Sequence, residues 1–306
     1  MKTRHFIPLI SILFLAACQP VELEFTTPDV VKEGVDAKWT LTVQATKGNP
    51  GTKALALTDD GKTLNAGWKD GEKVAVYLDG VFLGVLTATP GSDNTIATLS
   101  GSLESVEGVS ESTTLMLLFP GRDDKKWDYT GQAGVLTGTA SIEDTYDYAK
   151  AEVTVSTLDA DSKTITTTTA TFANQQSIYR FGFKAGDDYI APKDFTISAN
   201  GGKLAQSMSY ESSAWTAVYG SLTVTPAAAP SDNFYYVSLR NDGTSDDTYS
   251  FIITGSDDAL YLASKPIPAS VLDVPGKFIS AKSITATQPD FSAQSSGTIE
   301  DAGGVL

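Results

Sequence analysis

From Trp39 to Ala45 apolar and polar residues alternate strictly, with Trp39, Leu41, Val43 and Ala45 on one side and Thr40, Thr42 and Gln44 on the other. A period of two is the mark of a strand with one buried face. The pattern recurs. Lys73-Val74-Ala75-Val76-Tyr77 is followed by Asp79-Gly80 and then by Val81-Phe82-Leu83-Gly84-Val85-Leu86. An Asp-Gly pair between two apolar runs predicts a tight hairpin, because both turn positions favour positive φ. Thr114 to Phe119 is an almost unbroken apolar run stopped by Pro120-Gly121, as expected of a strand covered on both faces. Ser162 to Thr171 is β-branched or small nearly throughout, which again predicts strand.

Phe172-Ala173-Asn174-Gln175-Gln176 interrupts this rhythm, and a similar series then begins. Tyr179, Phe181 and Phe183 alternate. Phe195 to Ser198, Trp215 to Tyr219, Leu222 to Thr225, Phe234 to Leu239, Tyr249 to Thr254, Leu260 to Leu262 and Phe278 to Ile284 follow, separated by Gly, Asn, Asp and Pro. No long stretch carries apolar residues at helical spacing. Short strands without helical interludes predict an all-β protein built of sandwiches. The break near Phe172 divides it into two tandem β-sandwich domains, residues 37–172 and 173–285, followed by a polar, glycine-rich tail at 286–306.

The first residues change the picture from fold to location. Lys2 and Arg4 precede a short apolar stretch, Phe6 to Ala17, interrupted by Pro8 and Ser11. A membrane-spanning helix needs about 20 apolar residues, so residues 1–17 read as a signal peptide. The stretch ends in Leu15-Ala16-Ala17-Cys18, which resembles a bacterial lipoprotein box. Cys18, the only cysteine, is therefore the expected lipid attachment point, with residues 18–36 as a linker behind it. Acyl chains on Cys18 would anchor the protein to a membrane without spanning it.

Charge and composition exclude most other chemistry. The net charge of −15 repels phosphate backbones, and no basic stripe exists beyond Lys125-Lys126, so no nucleic-acid partner is expected. His5, the single histidine, lies in the signal peptide. Catalytic sites built on Ser-His-Asp or Cys-His are thereby ruled out, as are zinc sites built on His or Cys. Asp123-Asp124, Asp187-Asp188 and Asp246-Asp247 sit in turn-like stretches, where adjacent acids are usually solvated. Asp159-Ala160-Asp161 and the Asn241 to Asp246 stretch hint at calcium, but neither fits an EF-hand loop. No enzyme activity, metal or cofactor is expected. The aromatics Trp127, Tyr129, Tyr146 and Tyr148 have two readings, as sugar-stacking platforms or as side chains packing a long loop onto the sandwich, and the second is the commoner use.

One series of motifs goes beyond fold class. Thr52-Lys53-Ala54-Leu55, Asp60-Gly61 and Trp68-Lys69-Asp70-Gly71-Glu72-Lys73-Val74-Ala75-Val76-Tyr77 resemble the N-terminal domain of fimbrillin-like lipoproteins of Bacteroides-type bacteria, the subunits of type V pili. Leu115 to Pro120, Phe172 to Phe183, Tyr235 to Leu239 and Gly276-Lys277 match further family segments in order. The resemblance spans residues 37–285, while the Pro120 to Asp124 loop and the tail depart from it. It implies two transthyretin-like Greek-key β-sandwich domains and a structural or adhesive role in a surface fimbrium. It also implies proteolytic release of the first strand after a basic residue, here Lys53 or secondarily Lys47, and replacement of Trp39, Leu41, Val43 and Ala45 by a strand of a neighbouring subunit. The partners so implied are other pilus subunits, the outer membrane, and host or bacterial surface ligands. A lipoprotein that never polymerises and binds glycan or host protein is the alternative.

Overall fold

The computed structural model describes residues 38–47, 56–57, 64–65, 67–211, 214–272, 275–281 and 283–289. Cys18, the signal peptide and linker, Lys53 and the tail from Asp290 lie outside the described residues.

The chain is all-β. Its first part forms β1 (Trp39–Lys47), a small ribbon of β2 (Ala56–Leu57) and β3 (Leu64–Asn65), then β4 (Lys73–Leu78), β5 (Val81–Pro90), β6 (Ile96–Leu103) and β7 (Thr114–Phe119). After β8 (Lys126–Asp128) and a π-helical turn at Ile142–Tyr146 come β9 (Ala149–Asp159), β10 (Thr164–Thr167) and β11 (Ala170–Asn174). The expected hairpin is present, with Leu78 opposite Val81 and both Asp79 and Gly80 at positive φ. The Thr-rich stretch is strand, as expected, but it breaks at Thr168, so that β10 and β11 are separate pieces with a register shift beside β9.

Pairing runs β6, β5, β4, β7, β9, then β10 and β11, then β1, and β1 pairs back onto β6. The sheet thus closes on itself. Inside it lie Leu41, Val43, Val74, Val76, Leu99 and Leu117, all 0 % exposed. Trp68 fills one region of this core, with its ring edge-on to Phe119 at 6.1 Å and Phe172 at 5.4 Å. β5 and β6 approach closely at Gly101. A Cβ there would press into the Val85 carbonyl oxygen and lie 3.1 Å from the Leu86 Cα, main-chain atoms that cannot yield. Gly101→Ala is expected to cost about 2 kcal/mol, the usual penalty of overpacking, measurable as a lower urea midpoint with an unchanged slope.

The second part forms β12 (Ser177–Phe181), β13 (Phe183–Ala185), β14 (Asp188–Ile190), β15 (Pro192–Ala199), β16 (Ala205–Glu211), β17 (Ala214–Tyr219), β18 (Leu222–Val224), β19 (Tyr235–Leu239), β20 (Asp247–Gly255) and β21 (Leu260–Ile267). The short helix α1 (Ala269–Leu272), β22 (Phe278–Ser280) and β23 (Ile284–Thr287) complete it. A seven-stranded sheet runs β14-β13-β23-β21-β20-β15-β18, and a three-stranded sheet runs β19-β12-β22. β12 and β13 pass from one sheet to the other through Gly182, with β22 and β23 parallel alongside. Phe181, Phe183, Phe195 and Phe251 meet edge to face between them, with centroids 5.1 to 5.9 Å apart. Edge-to-face contact is the favoured geometry of packed aromatic rings.

The segment from Pro120 to Tyr148 crosses from the first set of strands to the second. β8 pairs with β16, extending the β16–β17 hairpin to three strands. Trp127 stacks on Trp215 at 3.9 Å, and Tyr129 packs edge-on to Tyr148 at 5.2 Å. Trp127, Tyr129, Tyr146 and Tyr148 are at most 5 % exposed. They are packing residues and present no platform to a sugar. Their core also takes in Ala75, Tyr77 and Leu118, from the outer faces of β4 and β7. That explains why β4 and β7 read as apolar runs: both of their faces are covered.

Candidate functional site

β1 is the element to which the sequence motifs direct attention. The alternation of Trp39 to Ala45 becomes an alternation of burial: Leu41, Val43 and Ala45 are 0 % exposed, Trp39 is half-buried, and Gln44 faces solvent. The strand runs two residues further than the pattern implied, to Lys47. Its extra turn of ladder comes from β11, with Thr46 opposite Thr171 and Lys47 opposite Phe172.

Both edges of β1 are paired. On one side β6 runs antiparallel, from Trp39 opposite Leu103 to Thr46 opposite Ile96. On the other side β10 and β11 run parallel, facing Thr40 to Thr42 and Ala45 to Lys47 respectively. The Thr40 amide also donates to the Lys163 carbonyl at 2.9 Å. The outward side chains add polar contacts. Gln44 Nε2 donates to Thr98 Oγ1 at 3.0 Å, the Thr42 and Ser100 hydroxyls lie 3.4 Å apart, and the Lys163 ammonium sits 5.0 Å from the Trp39 ring centroid.

The energetics are uneven. Exposed hydroxyl and amide contacts of this kind contribute little net stability, because water replaces them. The buried side chains carry the strand: a fully buried Leu or Val contributes about 1.5–3 kcal/mol. A chain lacking β1 would expose a slot with two unpaired edges, from β6 and from β10–β11, over an apolar floor. Unpaired edges of that type are templates for another strand.

The sequence-derived positions divide accordingly. Trp39, Leu41, Val43 and Ala45 lie together on the inner side of β1. Lys47 is the last residue of that strand, its backbone held in the ladder. Lys53 and Cys18 fall outside the described residues. Sequence reasoning placed strand in the Thr-rich run that becomes β10 and the start of β11, but it did not identify β6, the antiparallel neighbour on the other side. The pattern Ala149-Lys150-Ala151-Glu152-Val153-Thr154-Val155 alternates as β1 does and signals β9, the strand behind β10 and β11. Among the described residues no group of three or more His, Cys, Asp or Glu side chains is placed to hold a metal ion. Also among them, no helix is long and apolar enough to cross a membrane.

No family model and no curated protein matches the chain. Among solved structures, a candidate cell adhesion protein of Bacteroides ovatus is similar at 11% identity and a TM-score of 0.43, covering 83% of this chain and 97% of its own. A candidate adhesin, also of Bacteroides ovatus, gives 12% identity and a TM-score of 0.44 over 83% of this chain and 89% of its own. A shaft pilin of Lactobacillus rhamnosus GG gives 13% identity and a TM-score of 0.31 over 82% of this chain and 97% of its own. Likenesses at this level assign the chain to no family.

Proposed function

We propose that this chain is an exported, lipid-anchored structural or adhesive subunit of a bacterial surface pilus, without enzymatic activity, in which β1 is released and replaced by a strand from a neighbouring subunit. The observation that carries the reading is topological. β1 is the first strand of the described chain, yet it sits between paired neighbours and closes the sheet. One connection, residues 48–55, leads from it into the next strand. A single cut in that connection leaves β1 held by hydrogen bonds and side-chain burial alone.

The rest of the reading follows from the sequence motifs. Residues 37–172 and 173–285 are taken as the two transthyretin-like Greek-key sandwich domains, with the Pro120 to Tyr148 segment strapping the first onto the second. Cys18 carries the lipid. Lys53 is preferred to Lys47 as the cleavage point, because Lys53, before Ala54, best matches the basic residue of the motif, while the Lys47 backbone is paired opposite Phe172. Donor and acceptor surfaces differ, so the contact is heterologous and grows an open fibre.

Native trypsin treatment tests this. The expected result is loss of the peptide ending at Lys47 or Lys53, followed by a ladder of oligomers that survives detergent. A chain that resists trypsin, stays monomeric and binds a glycan or host protein would establish the non-polymerising alternative instead.

A further inference from the structure

β17 is the outer strand of the three-stranded sheet β17-β16-β8. The Gln206 carbonyl accepts from the Tyr129 amide and the Tyr210 amide donates to the Lys125 carbonyl, so the even-numbered residues of β16 face β8. Ser207 and Ser209 therefore face β17, opposite Val218 and Thr216. Along a strand the main-chain groups alternate between its two sides. The N–H and C=O of Trp215, Ala217 and Tyr219 are thus directed to the free side, where no strand among the described residues pairs with them.

This edge lacks the usual protection. The free edges of β8, β14, β18 and β22 belong to strands of three residues, and that of β19 is covered by Gln132 and Gly134. β17 has six residues, Ala214 to Tyr219, with no charged residue and no proline among them. Charge, proline and short length are the devices that keep strand edges from pairing with other chains. Val218 is 57 % exposed. The strand is also held in place, because Trp215 stacks on Trp127 and packs against Tyr210 at 5.3 Å. An edge that is already ordered loses little freedom when a partner strand binds.

The strand is complementary to a second copy of itself. Two copies of β17 laid antiparallel about a two-fold axis at Ala217 set Ala217 against Ala217, and Trp215 against Tyr219, across the axis. Each outward N–H and C=O then meets a C=O or N–H of the other copy, as an antiparallel ladder requires. In the same register Val218 lies opposite Thr216, and facing β-branched side chains stabilise a sheet. A charged partner segment would find no counter-charge on β17. The net charge of −15 opposes the approach of two copies at long range, but none of that charge lies in the paired segment itself.

We infer that two copies of this chain pair through β17, joining their β17-β16-β8 sheets edge to edge. The contact is isologous and closes on the pair. It belongs to the uncut chain and does not depend on exchange of β1. It is also reversible, and dissolves in the detergent that the strand-exchange ladder survives, so the two associations are read separately. The test is sedimentation velocity on the uncut chain, with Cys18 replaced by serine, across the micromolar range. A monomer–dimer equilibrium is expected, with more dimer as salt rises, because salt screens the repulsion between two acidic chains. Val218 is exposed, so Val218→Lys sets two ammonium groups near the axis without touching the core. It should weaken dimerisation by about tenfold or more at an unchanged melting temperature. In a second arm, Ala217→Cys on the same background should cross-link to a covalent dimer on mild oxidation, since facing Cα atoms of a hydrogen-bonded pair lie about 5.5 Å apart. Thr223→Cys, exposed on β18, should not. The inference is overturned if the chain stays monomeric at every concentration and salt, if Val218→Lys dimerises as the parent does, or if Ala217→Cys cross-links no faster than Thr223→Cys.

Discussion

Gln132→Ala is expected to lower the unfolding free energy by about 3–5 kcal/mol, because it strands two buried main-chain groups at once. Gln132 is 2 % exposed and lies against the outer edge of β19. Its Nε2 donates to the Ser238 carbonyl and to the Tyr129 carbonyl, each at 2.8 Å, and its Oε1 accepts from the Ser238 amide at 2.8 Å. One side-chain amide therefore does for Ser238 what a neighbouring strand would do. The main chain continues the cover: Tyr236 donates to the Gly134 carbonyl at 2.9 Å, and Thr225 donates to the Gln132 carbonyl at 3.0 Å. Truncation leaves the Ser238 N–H and C=O buried without partners, at about 1–3 kcal/mol each. Gln132→Glu tests the same point differently. A carboxylate can accept from the Ser238 amide but has nothing to donate to its carbonyl, so this variant should fare no better at neutral pH. Urea unfolding of the three proteins, followed by tryptophan fluorescence, checks both. Total stabilities of domains are about 5–15 kcal/mol, so the loss is large enough to populate unfolded chain.

The second large effect lies in β1. Leu41 is fully buried against the closed sheet, and Leu41→Ala should cost about 2–5 kcal/mol. Thr42→Ala, one residue along on the outer face, should cost less than about 0.5 kcal/mol, since it loses only a weak exposed contact. The contrast separates burial from backbone pairing, which both variants keep. It also has a kinetic consequence in the proposed assembly. A strand held mainly by buried side chains leaves faster when one is truncated, so Leu41→Ala should polymerise sooner after cleavage while Thr42→Ala keeps the parent's rate. Time-resolved gels of trypsin-treated protein measure this.

Much of this architecture was legible in the sequence wherever structure is local. The Asp79-Gly80 hairpin was visible because turn chemistry and flanking apolar runs sit within a few residues. The β1 face was visible because alternation alone defines it. What joins distant segments was not legible. Nothing in Lys126-Trp127-Asp128 announces that three residues will pair with β16 some 80 positions later. The parallel pairing of β1 with β10 and β11 places its partners more than 120 residues away, and it depends on the break at Thr168, inside what reads as one Thr-rich run. Gln132 carried no signal either, since a lone glutamine in a Gly-rich stretch looks like solvated loop. Its role comes from an uncovered strand edge that only the assembled fold creates. The aromatics of the same segment, Trp127, Tyr129, Tyr146 and Tyr148, had two readings, and the fold selects packing over display. For the candidate site, sequence supplied the inner face of β1 and the lysines beside it. The slot that β1 occupies became visible only with the ring of strands around it.

The central claim is that β1 must leave its place between β6 and β10–β11 for the protein to assemble. The most direct measurement is a reversible lock. The Thr42 and Ser100 hydroxyl oxygens lie 3.4 Å apart across β1 and β6, so Thr42→Cys with Ser100→Cys can be joined by a disulfide once Cys18 is replaced by serine. Trypsin-treated, oxidised protein is predicted to stay monomeric, and the same sample is predicted to form the detergent-resistant ladder on reduction. Equal ladders from the oxidised and reduced samples would contradict the account, because oligomers would then form with the first strand still fastened in its own subunit.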